Sequence, residues 1–342
     1  MMQMRRFAGV AGGFAIAVAA VITIAAAQQA PANPQGRSAY KAPRTPWGDP
    51  RLEGVYSNDD ETGIPFERPA QFEGRRLEDI TPDELAAANK QRNEQFNAGV
   101  AGTEFAGGLR PPTHLIFDSF DRKNSTAWLV VDPPDGKIPP LTDEARQRAR
   151  RPPSGLGRGV SSNFNPVGPF YSYEDLGLYD RCITRGIPNS MMPAGYGSYY
   201  EIIQGPESVA LRYEMIHEHR VVPIDRRGHG AHLGSGLHLD LGDARGWYEG
   251  DALVIETTNF TERSAFRGAS DHLKMTERFT PLGPGTVDWR VTLDDPHTWT
   301  RPWTFAMILK RKTGGEQVYE YACHEGNYGL KNILTGARFD DR

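Results

Sequence analysis

The stretch DARGWYEGDALVIETTNF, residues 243–260, carries the clearest fold signal in the chain. Two runs rich in aromatic and β-branched residues, 246–249 and 252–260, flank the turn-forming pair Gly250-Asp251. Short β-rich runs on both sides of such a pair predict a β-hairpin.

The same rhythm of short β-rich runs continues on both sides of this hairpin, with turn signals such as Gly205-Pro206 and Gly283-Pro284-Gly285 between them. No helical pattern separates the runs, which disfavours a parallel α/β fold. We expect a mainly β protein, an antiparallel meander that closes into a lipocalin-like barrel or half-barrel with room for one small ligand. The further predicted strands are Tyr199–Gln204, Val209–His217, Arg220–Ile224, Leu273–Thr280, Thr286–Leu293, Trp303–Lys312 and Val318–His324.

Residues 1–27 carry the marks of a secretory signal peptide. Arg5 and Arg6 precede an apolar, Ala-rich run that ends in small residues, as export signals do. A membrane anchor is the alternative reading, because the run is long enough to span a bilayer. We expect a protein that is periplasmic or secreted, with no stable membrane insertion after cleavage of the signal.

The remaining chain divides into three predicted parts. Residues 28–50 form a flexible leader rich in Pro, Ala and Gln, residues 51–180 an irregular wrapping region, and residues 181–342 the barrel-like core. The wrapping region contains two short predicted helices. One begins at Thr81-Pro82-Asp83-Glu84 and runs to about Phe96, and the other begins at Thr142-Asp143-Glu144.

Composition narrows the classes of partner. The formal net charge is −4, with 39 Lys and Arg against 43 Asp and Glu, so the chain lacks the basic field that binds nucleic acid. We expect no nucleic-acid partner and a small hydrophobic or aromatic molecule instead. No cofactor is expected.

Strand parity places several ionisable groups on faces that otherwise look buried. A histidine and a carboxylate in an apolar cavity can exchange protons in an elimination, dehydration or hydrolysis, and an arginine there stabilises a developing anion. The candidate catalytic residues are His217, Glu214, Arg220, Glu256, His324 and Glu325.

Aromatic and polar residues of the last predicted strands suit the lining of a ligand pocket. We predict binding, with a leaning towards lyase- or hydrolase-type chemistry on the bound molecule. The alternative is a lipocalin-like binding protein without catalysis. The candidate ligand-binding residues are Trp299, Arg301, Trp303, Tyr319, Tyr321 and Asn259.

A divalent-metal site is a further alternative. His217-Glu218-His219 can project two imidazoles to one side, and His229 follows nearby, although the spacing matches no familiar zinc signature.

Cys182 and Cys323 are the two cysteines of the chain. In an oxidising compartment such a pair favours a disulfide between the wrapping region and the last predicted strand. Free buried thiols are an alternative. A nucleophilic Cys323-His324-Glu325 group is disfavoured, because adjacent strand residues point to opposite faces.

Several segments resemble a large family of exported bacterial proteins. The resemblance implies a periplasmic, β-rich protein and brings no particular reaction with it. It covers most of the chain after the leader and rests on LYDRC (178–182), YEMIH (213–217), RVVPID (220–225), residues 243–260, DPHTWTRPWT (295–304) and YEYACHEGNYGL (319–330).

Overall fold

Antiparallel strands form one large sheet in the computed structural model, which describes residues 40–102, 121–150, 170–193, 197–226, 231–234, 236–263 and 266–340. The predicted signal peptide and the leader up to residue 39 lie outside the described residues. The strands are β1 Gly54–Ser57, β2 Val130–Asp132, β3 Tyr199–Gln204, β4 Ser208–Tyr213, β5 His219–Pro223, β6 Asp243–Glu249, β7 Ala252–Thr258, β8 Lys274–Gly283, β9 Thr286–Asp294 and β10 Trp303–Arg311. The helices are α1 Pro82–Gly102, α2 Asp143–Arg150 and α3 Tyr328–Asp340.

The sheet curls into a nearly closed barrel. Its strand order is β5-β4-β3-β1-β10-β9-β8-β7-β6. The two outermost strands meet through a bridge between Ile224 and Gly246, where the Asp225 amide donates to the Gly246 carbonyl at 2.8 Å. The prediction of a mainly β, antiparallel, lipocalin-like barrel is confirmed.

The wrapping region supplies two strands of this sheet. β1 lies between β3 and β10 and pairs with the end of β10, at Lys310 and Arg311. β2 pairs with the beginning of β10, at Thr304 and Phe305. The barrel is therefore not confined to residues 181–342, because β1 closes the gap between β3 and β10.

The two predicted helices of the wrapping region are present. At the start of α1, the Glu84 amide donates to Thr81 Oγ1 at 3.3 Å and the Thr81 amide donates to Glu84 Oε2 at 2.9 Å. This reciprocal capping satisfies donors that the helix backbone leaves unpaired. The helix continues to Gly102, beyond the predicted end near Phe96.

Alternation along each strand separates an apolar interior from a mixed exterior. In β9 the buried residues are Val287, Trp289, Val291 and Leu293, and their neighbours are half-buried. The other large interior side chains come from the strands on either side and include Leu253, Ile255, Met275, Phe279, Trp303, Phe305, Met307 and Leu309.

The two ends of the barrel are built differently. At one end, here called the turn end, short connections of residues 205–207, 250–251 and 284–285 join neighbouring strands. At the other, here called the loop end, the connections are longer: 214–218, 259–273 and 295–302. In lipocalin-like barrels a ligand enters at an end, and the longer connections make the loop end the candidate entrance.

The turn end is closed by a satisfied hydrogen-bond network around Gln204. Its Oε1 accepts from the amides of Leu52 and Glu53 at 2.6 and 3.0 Å, and its Nε2 donates to Pro50 O and Tyr248 Oη at 2.9 and 2.8 Å. The side-chain amide therefore has partners for both its oxygen and its nitrogen, as buried polar groups generally do.

Two predicted strands differ from the structure. β4 ends at Tyr213 and not at His217, because a turn follows in which Ile216 (φ 60°) and His217 (φ 44°) adopt left-handed backbone conformations. Residues 318–324 form no strand. Both edges of β10 are already paired, one with β9 and the other with β1 and β2, so the following segment finds no free edge there.

Candidate functional site

An ion pair crosses the interior of the barrel. Arg220 lies at the start of β5 and Glu277 on β8, and three steps around the barrel separate these strands. Nη2 of Arg220 donates to Oε2 of Glu277, and the two side chains are 5% and 1% exposed. The Trp289 indole donates to the other Glu277 oxygen at 3.2 Å.

Removing two charges from water is unfavourable unless they compensate each other. Burial opposes the charge of Arg220, but attraction to the Glu277 carboxylate outweighs it and raises the pKa of the guanidinium above its ordinary value. The guanidinium therefore stays charged inside the barrel. Because hydrophobic residues of similar volume are often as stable as a buried ion pair, stability alone gives little reason for the pair, which makes it a candidate for a functional role.

Several interior polar groups on the strands that meet the loop end complete no hydrogen bond. We call them the loop-end polar set, because they come from strand residues near that end: β3, β5 and β10 begin there and β4 and β7 end there. The set consists of Arg220 Nε and Nη1, Tyr213 Oη, Tyr200 Oη, Thr257 Oγ1 and Trp303 Nε1. Buried groups of this kind normally have partners, so their presence on strand residues near this end marks the loop end as the candidate site.

The two phenols of this set remain protonated at neutral pH. Tyr213 lies beside the Arg220 guanidinium, and burial raises the pKa of its hydroxyl. Tyr200 is paired with Tyr213 across β3 and β4, and burial, with the carboxylates of Asp59 and Glu61, raises its pKa as well. Both rings are fully buried. Each therefore presents a hydroxyl group that can donate a hydrogen bond.

Glu218 adds a second carboxyl group at this end. It follows the turn after β4, and the Ser190 hydroxyl donates to its Oε2 at 2.9 Å. Burial raises the pKa of Glu218, while hydrogen bonds from Thr184 and Ser190 and the charge of Arg220 act in the opposite direction. This carboxyl group is therefore easier to protonate than an exposed glutamate.

The structure places three of the predicted site residues in the interior at the loop end. Arg220 belongs to the ion pair, and Trp303 faces the interior from the start of β10. Trp299 is buried against Trp303, with ring centroids 5.5 Å apart in an edge-to-face arrangement.

The other candidate catalytic residues do not converge on this interior. His217 is exposed in the turn after β4, with Nδ1 3.2 Å from the Tyr321 carbonyl oxygen. Glu214 is half-buried and accepts from the Tyr199 amide at 3.2 Å, and burial raises its pKa. His324 and Glu325 are exposed in a turn.

Glu256 lies on the outside of the barrel. Alternation in β7 places Leu253, Ile255 and Thr257 inside, so Glu256 faces outward. There, His232 lies between two carboxylates, with Nε2 3.3 Å from Glu256 Oε1 and Nδ1 3.0 Å from Asp243 Oδ2. The predicted convergence of Glu256 with His217 and His324 in one cavity is absent from the described residues.

The remaining candidate ligand-binding residues also lie outside the interior. The Arg301 side chain is half exposed and pairs with Asp132 at 3.1 Å, and Tyr319 is 70% exposed. Tyr321 is half-buried. Asn259 has a left-handed backbone conformation (φ 57°) after β7, and its side-chain Nδ2 donates to the Leu233 carbonyl at 3.1 Å.

The predicted metal ligands are not gathered. His217 and His219 are both exposed, and His229 lies outside the described residues. Within the described ranges, no group of three or more His, Cys, Asp or Glu side chains is arranged to hold a metal ion.

Cys182 and Cys323 form a disulfide, as predicted, with Cα atoms 5.7 Å apart. It joins the segment that precedes β3 to the segment that follows β10. The side-chain amide of Asn327 reinforces this junction, because its Nδ2 donates to the Asp180 backbone carbonyl at 3.1 Å. Neither cysteine is a free thiol.

Sequence reasoning missed Glu277, Glu218 and the two phenols. A signal for Glu277 is present, because it lies between Met275 and Phe279 on one face of β8, where a charged residue interrupts an apolar set. Tyr200 and Tyr213 have no such signal, since a tyrosine facing a core looks the same whether or not its hydroxyl is paired.

Another buried carboxyl group lies where the wrapping region meets the barrel. Glu61 is 1% exposed, and its oxygens accept from the Ser125 amide at 3.2 Å and the Ser125 hydroxyl at 2.7 Å. Burial raises its pKa to about 7, against the opposing effect of these hydrogen bonds.

Glu61 is expected to make the stability depend on pH. A carboxyl group with a raised pKa in the folded state contributes stability that is complete below pH 4.5, its ordinary pKa, and is lost as the pH rises through about 7. Over this range wild type should lose about 2–3 kcal/mol relative to Glu61→Gln. Urea unfolding of both proteins at several pH values measures this difference. Equal pH slopes in the two proteins would contradict the assignment.

Comparison with protein-family models, with curated proteins and with solved structures finds no match for this chain. None of the helices in the described residues is long and apolar enough to cross a membrane.

Proposed function

We propose that this protein binds a small, largely hydrophobic or aromatic molecule inside the loop end of the barrel. The observation that carries the proposal is the Arg220–Glu277 pair, which is buried in an otherwise apolar interior. Binding sites in proteins are mostly apolar and contain a few well-placed polar groups that fix the orientation of the ligand. The loop end has this composition.

The apolar part of the proposed site comes from residues that are paired across neighbouring strands close to the loop end. Trp303, Leu293, Met275 and Thr257 are neighbours in register across β10, β9, β8 and β7. Next to them, Phe305 and Ile255 face the same interior. We expect an aromatic ring of the ligand to contact the indole and phenyl surfaces there and to present its polar substituent to Arg220.

Two variants of adjacent residues test this location. Thr257→Phe fills the loop end from within, whereas Thr258→Phe places the same ring on the outer face of β7. With the neutral fluorescent probe N-phenylnaphthylamine, wild type and Thr258→Phe should show saturable binding, and Thr257→Phe should lose it. Circular dichroism verifies that both variants are folded, since an added ring in a packed interior destabilises by about 1–3 kcal/mol. Unchanged binding to folded Thr257→Phe would refute the proposed location.

Acid–base chemistry on the bound molecule is the second candidate function. It is favoured by Glu218, a carboxyl group with a raised pKa beside the Arg220 guanidinium. Such a pair can move a proton and stabilise the charge that develops. In D2O, wild type should exchange the methyl protons of acetophenone for deuterium faster than Glu218→Gln does, as followed by NMR. Equal rates in the two proteins would remove Glu218 from any such reaction.

We also propose that the protein is exported to the periplasm. The Cys182–Cys323 disulfide supports this, because structural disulfides persist in oxidising compartments. The apolar run before Gln28 is the proposed secretory signal peptide that directs this export. Mass spectrometry of protein from the periplasmic fraction should find a chain that begins at Gln28, and an intact Met1 would contradict cleavage.

A further inference from the structure

We infer that the ligand of the loop end is a neutral molecule that presents a carbonyl oxygen to Arg220 and Tyr213. The inference rests on the proposed binding function and specifies the chemical class of the ligand.

The loop-end polar set consists mostly of hydrogen-bond donors. Arg220 and Trp303 can only donate, because a guanidinium and an indole N–H have no acceptor. The hydroxyls of Tyr213, Tyr200 and Thr257 can donate as well. Within this set, the groups that can donate therefore outnumber the groups that can accept. A ligand that satisfies the donors must carry acceptor oxygens.

The charges already present at the loop end disfavour an anionic ligand. Arg220 and Glu277 neutralise each other at close contact, and Glu218 lies near enough for the charge of Arg220 to act on it. A carboxylate ligand would add a negative charge to an interior in which the single arginine is already paired. Burying a charge without a partner is strongly unfavourable. A neutral acceptor satisfies the donors without this penalty.

The donors are also held in place before a ligand arrives. Glu277 fixes Nη2 of Arg220 and is itself held by the Trp289 indole at 3.2 Å. Tyr213 is fixed through its backbone, since its amide donates to the Glu218 carbonyl at 2.8 Å. Donors that are already oriented lose little freedom on binding, so they contribute to affinity and discriminate against ligands without an acceptor.

Three probes of similar size separate the possibilities: acetophenone, which has a carbonyl oxygen, ethylbenzene, which has no acceptor, and benzoate, which is an anion. Calorimetric titration should find that acetophenone binds wild type about tenfold or more tightly than either of the others, as expected for a hydrogen bond to a charged donor. Tyr213→Phe and Arg220→Lys should each reduce this preference. Both keep the buried volume nearly unchanged, and the lysine retains a positive charge for Glu277.

Tyr56→Phe is the matched control. It removes another buried phenol hydroxyl, but one that already donates to the Leu52 carbonyl at 2.8 Å. This variant should keep the preference for acetophenone. Equal affinity for acetophenone and ethylbenzene in wild type would overturn the carbonyl inference and leave the binding proposal intact, and so would tighter binding of benzoate. If no probe binds and N-phenylnaphthylamine does not bind either, the binding proposal itself falls.

Discussion

Replacing Arg220 by Met should lower the free energy of unfolding by about 3–5 kcal/mol, the usual result of leaving one member of a buried ion pair alone. Glu277 is 1% exposed, and without the guanidinium its charge has only the Trp289 indole to compensate it. Unfolding in guanidinium chloride, followed by tryptophan fluorescence, measures the loss as a fall in the midpoint at constant slope.

The double variant Arg220→Met, Glu277→Gln is the control for this prediction. It removes both charges together, and the glutamine oxygen can still accept from Trp289. Its stability should return to within about 1 kcal/mol of wild type, because replacing a whole buried pair is often neutral. If single and double variants are equally destabilised, packing and not charge accounts for the effect. The double variant also allows ligand binding to be measured without Arg220 in a stable protein.

Removing the disulfide should have an effect of similar size. Cys182 and Cys323 are 141 residues apart in sequence, so the bond greatly restricts the unfolded chain. The loop-closure model gives about 5 kcal/mol for a loop of this length. The variant Cys182→Ser, Cys323→Ser should therefore unfold at a lower denaturant concentration than oxidised wild type.

Reduction provides an independent check on the disulfide. Reduced wild type should unfold like the double serine variant, and the reductant should leave the stability of that variant unchanged. If reduction of the wild-type bond leaves the unfolding midpoint where it was, the segment after β10 is held by its other contacts. Those contacts include the hydrogen bond from Asn327 to Asp180 and one from Arg212 to the Val318 carbonyl at 3.2 Å.

The strands that alternate in sequence could be predicted closely. The predicted run Tyr199–Gln204 coincides with β3, and Thr286–Leu293 falls one residue short of β9. β1 was missed, because four residues with a glycine at the start give too short a pattern. It becomes a strand because it pairs with both β3 and β10.

The candidate site could be predicted only in part. Of the predicted site residues, Arg220, Trp299 and Trp303 lie in the loop-end interior; a lone charge or a pair of tryptophans in a β-rich segment stands out in the sequence. The failure with Glu256 and His324 has one physical cause. The alternation of side chains along a strand shows which residues share a face. It does not show which face points into the barrel, nor whether a segment pairs with the edge of a sheet.

By itself, the sequence determined the antiparallel meander and the two helices of the wrapping region, because local alternation, turn residues and capping act over short distances. Only the tertiary structure decided that Arg220 meets Glu277 across the barrel and that the unpaired polar groups gather at the loop end. These relationships depend on barrel closure, which brings strands far apart in the chain into contact through register and curvature that no local pattern contains.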